Sequence, residues 1–392
     1  MAIGNRRSII DNALNDIHSG KSSPINADLF NLYHKNYVKG IDQVFTKAKE
    51  GSKAWEKVRQ FKLNTAKLAA AKSYKQTAEL QKLAANSASL AEFKKNAAGI
   101  INRYNRYQAA EYNTIVARTR TAAQFERFED ESNDYPNLEW LLTVSADPRE
   151  LHLSYVGIIL PIDDPFWEEN QPGDLWNCKC DWRTTDKEPT SLPDKVVRPS
   201  RGLEGNPWKT GELITEQHPY FKGIPGWVSN NAMLLMPDDL AFIKVETKEG
   251  TLLEHVLMDG TEESPDNRSI AKSLLKDDFK EIKLLPKIYA SEVALRERYY
   301  GEKYNEEFPS TTPDAKVDGK IIEFKRGNIN TLSMRIGEGA RQSDIVLIKS
   351  KDKLSNAYLE RLIKGQWEID DRKNISTIIL INGGKTYVFK RP

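Results

Sequence analysis

Asp314, Glu323 and Lys325 are the residues whose types and spacing most directly suggest chemistry in this chain. Pro313-Asp314 precedes Glu323-Phe324-Lys325 across Asp318-Gly319, a dipeptide that favours a two-residue hairpin turn. Residues 314–317 and 320–325 read as its two strands. A strand period of two puts Glu323 and Lys325 on one face, with Ile322 and Phe324 on the other. Antiparallel pairing can bring Asp314 beside them. Two carboxylates and one amine on a single patch suit a divalent ion, Mg²⁺ or Mn²⁺, that polarises a phosphodiester while Lys325 steers a water nucleophile. On this reading the carboxylates face metal and solvent, and Phe324 faces the core.

Several elements must position that patch. Ser264-Pro265 reads as an N-cap followed by proline at the first helical position, with the helix running on through Ile270, Leu274, Leu275 and Phe279. An apolar strand follows over residues 282–286, then an insertion and the hairpin. A second helix ends near Arg341-Gln342-Ser343-Asp344 and leads into a strand over 345–348. Another helix around 358–362 precedes a strand over 377–381. From residue 262 onward, this order of elements around Asp314, Glu323 and Lys325 resembles the PD-(D/E)XK nuclease superfamily. The Gln342-x-Asp344 step is similar to C-terminal nuclease domains of contact-dependent inhibition toxins. The resemblance implies metal ligation by Asp314 and Glu323, with Glu263 as a further acid on the first helix, and a role for Gln342 in orienting water or substrate. Each feature also has an ordinary reading. Pro-Asp and Asp-Gly are common turn signals, Glu263 is favourable charge at a helix N-terminus, and Gln342 suits a helix cap.

At 392 residues the chain has room for two or three domains, and a net charge of +2 conceals strong segregation. Residues 51–127 hold 15 Lys and Arg against 5 Asp and Glu, whereas residues 128–190 hold 4 against 15. Such a chain presents separate surfaces to separate partners. Residues 26–127, almost free of proline and glycine, read as long helices whose charge belongs to a solvated face or, as the alternative, meets nucleic acid or an acidic protein surface. Residues 135–182 bring five prolines, four tryptophans and many acids into a compact, loop-rich segment. Residues 191–225, rich in Pro and Gly, read as an extended, partly ordered connection, followed by strand-like runs at 241–246 and 252–257 that abut the C-terminal domain. No apolar run is long enough to span a bilayer, and the N-terminal residues lack the apolar core of a secretory signal. The expected architecture is multidomain α+β. It comprises a helical region (1–100), a Trp-rich module (101–190), a linker with short strands (191–252) and a C-terminal α/β domain with a central mixed sheet (253–392).

The middle of the chain carries a second set of signals. Asn113 and Arg118-Thr119-Arg120-Thr121-Ala122 lie on a helix, followed by Trp140, Thr143 and Asp147-Pro148-Arg149. His152, Gly157 and Asp163-Asp164-Pro165-Phe166-Trp167 come next, then Pro172-Gly173 and Trp176-Asn177-Cys178-Lys179-Cys180. In this order the residues between 103 and 186 resemble the phage Mu F-like minor head protein family, the head morphogenesis domain. Lys179 stands where that family often shows arginine. The resemblance implies a minor capsid component of the virion, near the portal, with portal and capsid proteins as partners and a C-terminal effector domain.

His152, Cys178 and Cys180 are the right types to hold zinc, with Asp164 or Asp181 completing the set. The plainer reading is two reduced thiols packed among Trp176 and Trp182, and zinc is not expected. Only two cysteines are present, which excludes a disulfide framework and fits a reducing compartment. Together these signals predict a phage or prophage head protein, in the virion or the host bacterial cytoplasm, whose C-terminal domain is a metal-dependent nuclease acting on DNA or tRNA. Two alternatives stand beside it. One is a purely structural head protein with an inactive nuclease-like domain. The other is a delivered tRNA-cleaving toxin with an immunity protein. A metal-independent ribonuclease is disfavoured, since no histidine follows His255.

Overall fold

A computed structural model describes residues 3–143, 150–193, 195–258, 261–277 and 279–392. The chain divides into two compact units, Met1–Met236 and Pro237–Pro392. Asp147-Pro148-Arg149 lies outside the described residues.

The first unit opens with four helices, α1 (Ile3–His18), α2 (Ala27–Asp42), α3 (Lys53–Ala85) and α4 (Leu90–Glu131). Side-chain caps fix three of their starts. Asn26, Ser52 and Ser89 accept from the backbone N–H groups of Leu29, Trp55 and Glu92, and the Glu92 carboxylate reaches back to the Ala88 N–H. Part of the basic charge is internal. Lys72 is fully buried and pairs with Glu111 at 2.5 Å, and Tyr37 donates to the same carboxylate.

Three strands follow, β1 (Asn137–Leu141), β2 (Ile159–Pro161) and β3 (Asp181–Thr185), with short helices α5 (Glu150–Leu153) and α6 (Phe166–Glu169) between them. They form an antiparallel sheet of order β2-β1-β3 in which Trp140 sits opposite Trp182. Trp140, Trp167 and Trp182 are buried against one another and against Phe125 and Phe128 of α4.

The connection expected over 191–225, extended and partly ordered, is more firmly packed than that from residue 203 onward. Leu203, Trp208, Leu213 and Ile214 are buried, and α7 (Pro207–Thr210) and α8 (Trp227–Leu235) pack on the helices of the same unit. Two polar anchors hold this segment. Asn64 accepts from the N–H groups of Leu213 and Ile214 and donates to the Ile214 carbonyl. Arg118 donates to the carbonyls of Leu203, Glu204 and Gly205 at 2.7, 3.3 and 2.9 Å. Gly173, at φ +99°, makes room for that arginine, because a Cβ there would sit 2.9 Å from Arg118 Cγ.

The second unit is one eight-stranded mixed sheet with helices on both faces. After α9 (Asp238–Ala241) its elements run β4 (Phe242–Val245), β5 (Thr251–His255), α10 (Ser264–Leu275), β6 (Glu281–Leu284), α11 (Val293–Tyr300) and α12 (Glu302–Glu307). They continue with β7 (Ala315–Val317), β8 (Lys320–Gly327), α13 (Leu332–Ala340), β9 (Ile345–Ser350), α14 (Asn356–Trp367), β10 (Thr377–Asn382) and β11 (Lys385–Lys390). The spatial order is β11-β10-β9-β8-β7-β6-β5-β4, with β5–β6, β8–β9 and β9–β10 parallel. The strands at 242–245 and 251–255 thus belong to this sheet, in keeping with runs expected to abut the C-terminal domain, and the unit begins at Pro237 rather than at 253.

Alternation along β8 separates two cores. Ile322 and Phe324 join the cluster covered by α10, whereas Val346 and Ile348 of β9, opposite Glu323 and Lys325, belong to the cluster under α13 and α14. The β7–β8 turn is the two-residue hairpin expected from the sequence, with Asp318 at φ +46° and Gly319 at φ +82°. The Asp318 carboxylate accepts from the N–H groups of Lys280 and Glu281, which ties the turn to β6. One reading of the helix start is corrected. Ser264 is not the N-cap of α10; Glu263 holds that position without a side-chain cap, and the Ser264 hydroxyl donates to the buried Glu254 carboxylate.

Candidate active site

The β7–β8 hairpin sets the register of the site. Ala315 pairs with Ile322, so Asp314, one residue before the strand, comes opposite Glu323. Asp314 is fixed from two sides, accepting from Asn267 Nδ2 at 3.1 Å and from the Phe324 N–H at 2.8 Å. Lys325 Nζ meets Glu323 Oε1 at 2.5 Å. Gln342, just beyond α13, bridges the pair in the amide orientation that satisfies both neighbours. Its NH₂ donates to Glu323 Oε1 at 2.8 Å and its carbonyl oxygen accepts from Lys325 Nζ at 3.2 Å. All four residues line one cleft of about 480 Å³, together with Glu263, Asn267 and the basic side chains of Lys287, Arg326 and Arg335.

Glu323 is not solvent-facing as the sequence had suggested. It is 2% exposed, and as a carboxylate its Oε2 has no donor, whereas as the acid it can hydrogen-bond to Asp314. Burial, then the neighbouring Asp314 carboxylate, pushes Glu323 up to about 8 in spite of Lys325. Burial also raises Asp314, opposed by the Phe324 N–H and by Lys325. Paired carboxylates held this way, with an oxygen that lacks a donor when ionised, fit a divalent cation such as Mg²⁺ or Mn²⁺. Glu263 lines the same cleft and adds to the negative field at Asp314, yet it already pairs with Lys287 at 2.7 Å.

A stability consequence follows from the raised Glu323. In a chelator, the folded chain keeps a proton on Glu323 between its ordinary value of 4.5 and about 8, while the unfolded chain has released it. Stability of the second unit therefore falls as pH rises through that window, by up to about 1.4 kcal/mol per pH unit, and levels off above it. Glu323→Gln should flatten the profile. Hydrogen-exchange protection of β8 and β9 amides across this pH range, compared between the two proteins, measures the difference. Parallel profiles would contradict it.

Sequence reasoning missed Asn267 and the basic rim. Asn267 stands four residues after Glu263, one helical turn on, and that spacing was the available signal. Arg335, on α13, and Arg326, beside Lys325 on β8, carried no motif of their own.

The first unit gathers a different set of groups. His152 Nδ1 lies 3.5 Å from Cys178 Sγ and 3.4 Å from Cys180 Sγ, and the three ligand atoms lie within 4.8 Å of one another. His152 Nε2 faces Asp174 Oδ1 at 3.0 Å. Asp164 and Asp181, the acids suggested by sequence, are engaged elsewhere, with the N–H of Phe166 and with Gln124 and the Trp182 N–H respectively. Burial opposes charge on His152, but Asp174 and Cys178 hold it up at about 9. The hydrogen bond from Cys180, with His152 alongside, pulls the Cys178 thiol down to about 4, and Cys180 is raised in turn.

Around this cluster the structure joins the residues that carried the second resemblance. Asn113 donates to Asn177 Oδ1, the Thr114 hydroxyl accepts from the Asn177 N–H, Thr121 donates to the Pro172 carbonyl and Thr143 to the Lys179 carbonyl. Residues 81–183 match the family model described as Phage Mu protein F like protein. They form a Mu F-like head morphogenesis module. The match runs from the end of α3 through α4 to β3, so the helix bearing Arg118 and the Trp-rich sheet belong to one family unit. The match supports a head morphogenesis role for this module, which suggests a place in the virion and other capsid proteins as partners. No curated protein and no solved structure matches the chain. Among the described residues, no helix is long and apolar enough to cross a membrane.

Proposed function

We propose that this Mu F-like head protein sits near the portal and carries, in its second unit, a metal-dependent nuclease that hydrolyses phosphodiesters of DNA or tRNA. The observation that supports it is the convergence of Asp314, Glu323, Lys325 and Gln342 in one cleft, with a buried carboxylate oxygen that no donor reaches. Asp314 and Glu323 would hold the ion, with Glu263 at the cleft edge. When bound, the ion polarises the phosphate and lowers the pKa of a water molecule. Asn267 and the Phe324 N–H keep Asp314 in place for that task. Lys325, held beside Glu323, would offset charge developing on the phosphate. Gln342 holds the lysine and the carboxylate at fixed separation and orients the attacking water.

Lys287, Arg326 and Arg335 supply the rim for a polyanionic backbone. Each is paired with an acid on its own side, Glu263, Asp266 and Glu338 respectively. Exposed pairs of this kind contribute little, so phosphate oxygens can replace those carboxylates at small cost. Should the domain act on a neighbouring cell, an immunity protein would cover this same cleft. Calorimetric titration of the full chain with Mn²⁺ tests the metal site. One binding event that is lost in Asp314→Asn supports the reading, and unchanged binding in that variant refutes it.

A further inference from the structure

We infer that His152, Cys178 and Cys180 form a zinc-type metal site in the Mu F-like module, with the fourth position left to water and Asp174 fixing the histidine ring. It is independent of the cleft in the second unit. The first argument is geometric. A single ring nitrogen, His152 Nδ1, stands 3.5 and 3.4 Å from two sulfurs at once. An imidazole nitrogen carries one proton or one lone pair, so by hydrogen bonding the two sulfurs would have to share it in a weaker bifurcated contact. A tetrahedral ion about 2.0 Å from nitrogen and about 2.3 Å from sulfur puts those ligand atoms about 3.5 Å apart. The observed spacing is that of two edges of such a tetrahedron.

The surroundings carry the argument further. His152 Nε2, the nitrogen turned away from the sulfurs, faces Asp174 Oδ1 at 3.0 Å, and Asp174 is fully buried. A carboxylate on the far nitrogen is the common partner of a metal-bound histidine, fixing its tautomer and ring orientation. Between the cysteines, Cys180 N donates to Cys178 Sγ at 3.4 Å, and Asn177 takes the left-handed conformation at φ +59°. The chain therefore turns so that both sulfurs reach the same side. Thiolate, thiolate and imidazole form a borderline-soft donor set that selects zinc and disfavours magnesium. Cys178 is buried and Cys180 is half-buried, so the open position lies on the Cys180 side. A metal here clamps α5 to the 176–180 loop, two segments 26 residues apart in sequence.

The test is metal analysis of the full chain, purified under reducing conditions without strong chelator. About one zinc per chain is expected, retained in Glu323→Gln, which alters only the other site. Cys178→Ser and His152→Ala should each hold well under half as much. Asp174→Asn should bind zinc about 10–100-fold more weakly in competition with a chromophoric chelator, as a positioning residue would. Because a variant can fail to fold, the wild-type chain supplies a second reading. Replacing its metal with Co²⁺ should give thiolate-to-cobalt charge-transfer absorption and the visible bands of a tetrahedral ion. A wild-type chain that carries no zinc and gives no thiolate band with Co²⁺ overturns the inference and leaves a metal-free Cys–His–Asp cluster. Full zinc content in Cys178→Ser overturns it as well.

Discussion

If the proposed nuclease site is correct, Glu323→Gln in the full chain should lower Mg²⁺-dependent cleavage of nucleic acid by about 10³-fold. The estimate rests on the several kcal/mol of transition-state charge stabilisation that a bound metal supplies, at about 1.4 kcal/mol per tenfold in rate. Glutamine keeps the shape of the side chain and its hydrogen bonds to Lys325 and Gln342, but removes the anionic donor. Because Glu323 is buried with a raised pKa, the neutral amide resembles the protonated state of the metal-free protein, so the fold should persist. Thermal unfolding of the variant in EDTA, compared with wild type, separates lost chemistry from lost structure. Cleavage within about threefold of wild type would remove Glu323 from the mechanism.

The largest effect on stability is expected in the first unit. Arg118→Met leaves the carbonyls of Leu203 and Glu204 without their donor, leaves Gly205 to Gln171 alone and takes away the cation near the buried Asp174. Buried groups stranded this way cost about 3–5 kcal/mol. Seven of the eight tryptophans, all but Trp367, lie before residue 237, so fluorescence-monitored denaturation reports on this unit. Limited proteolysis gives a second readout. The wild-type chain should resist cleavage between residues 200 and 215, and the variant should be cut there. A change under about 1 kcal/mol with no new cleavage would show that Arg118 is not the anchor of this segment.

How far the sequence spoke for the fold depended on how local each signal was. Asp318-Gly319 fixed a two-residue hairpin, and strand alternation then put Asp314, Glu323 and Lys325 together without any tertiary information. Gln342 came with the element order around it. The burial of Glu323 was not readable, because desolvation is set by α10, α13 and the neighbouring strands rather than by the hairpin itself. Asn267 was hidden for the same reason: its role appears only when α10 lies against Asp314. Residues 200–215 read as looser than they are because Pro and Gly signal a loop, while Leu203, Trp208, Leu213 and Ile214 have no helical or strand period. That segment is irregular and yet packed. The edge strands β4 and β5 were seen as strands, but nothing in their composition says which sheet they join.

The basic stretch 51–127 makes the same point in electrostatics. Counting charges suggested a solvated face, and exposed residues such as Lys53 bear this out, yet Lys72 is fully buried against Glu111. Pairing of that kind is invisible in a sum. The His152, Cys178 and Cys180 cluster shows the limit most plainly. The residue types were noticed, whereas the partner Asp174 and the common approach to one ring nitrogen required the folded chain.

The most direct test of the proposed activity is incubation of the full chain with tRNA, single-stranded DNA and duplex DNA, in Mg²⁺ and in EDTA, with Glu323→Gln in parallel. Cleavage of at least one substrate in Mg²⁺, absent in EDTA and in the variant, is the expected result. Cleavage that persists undiminished in EDTA or in Glu323→Gln would contradict a metal-dependent site at Asp314 and Glu323.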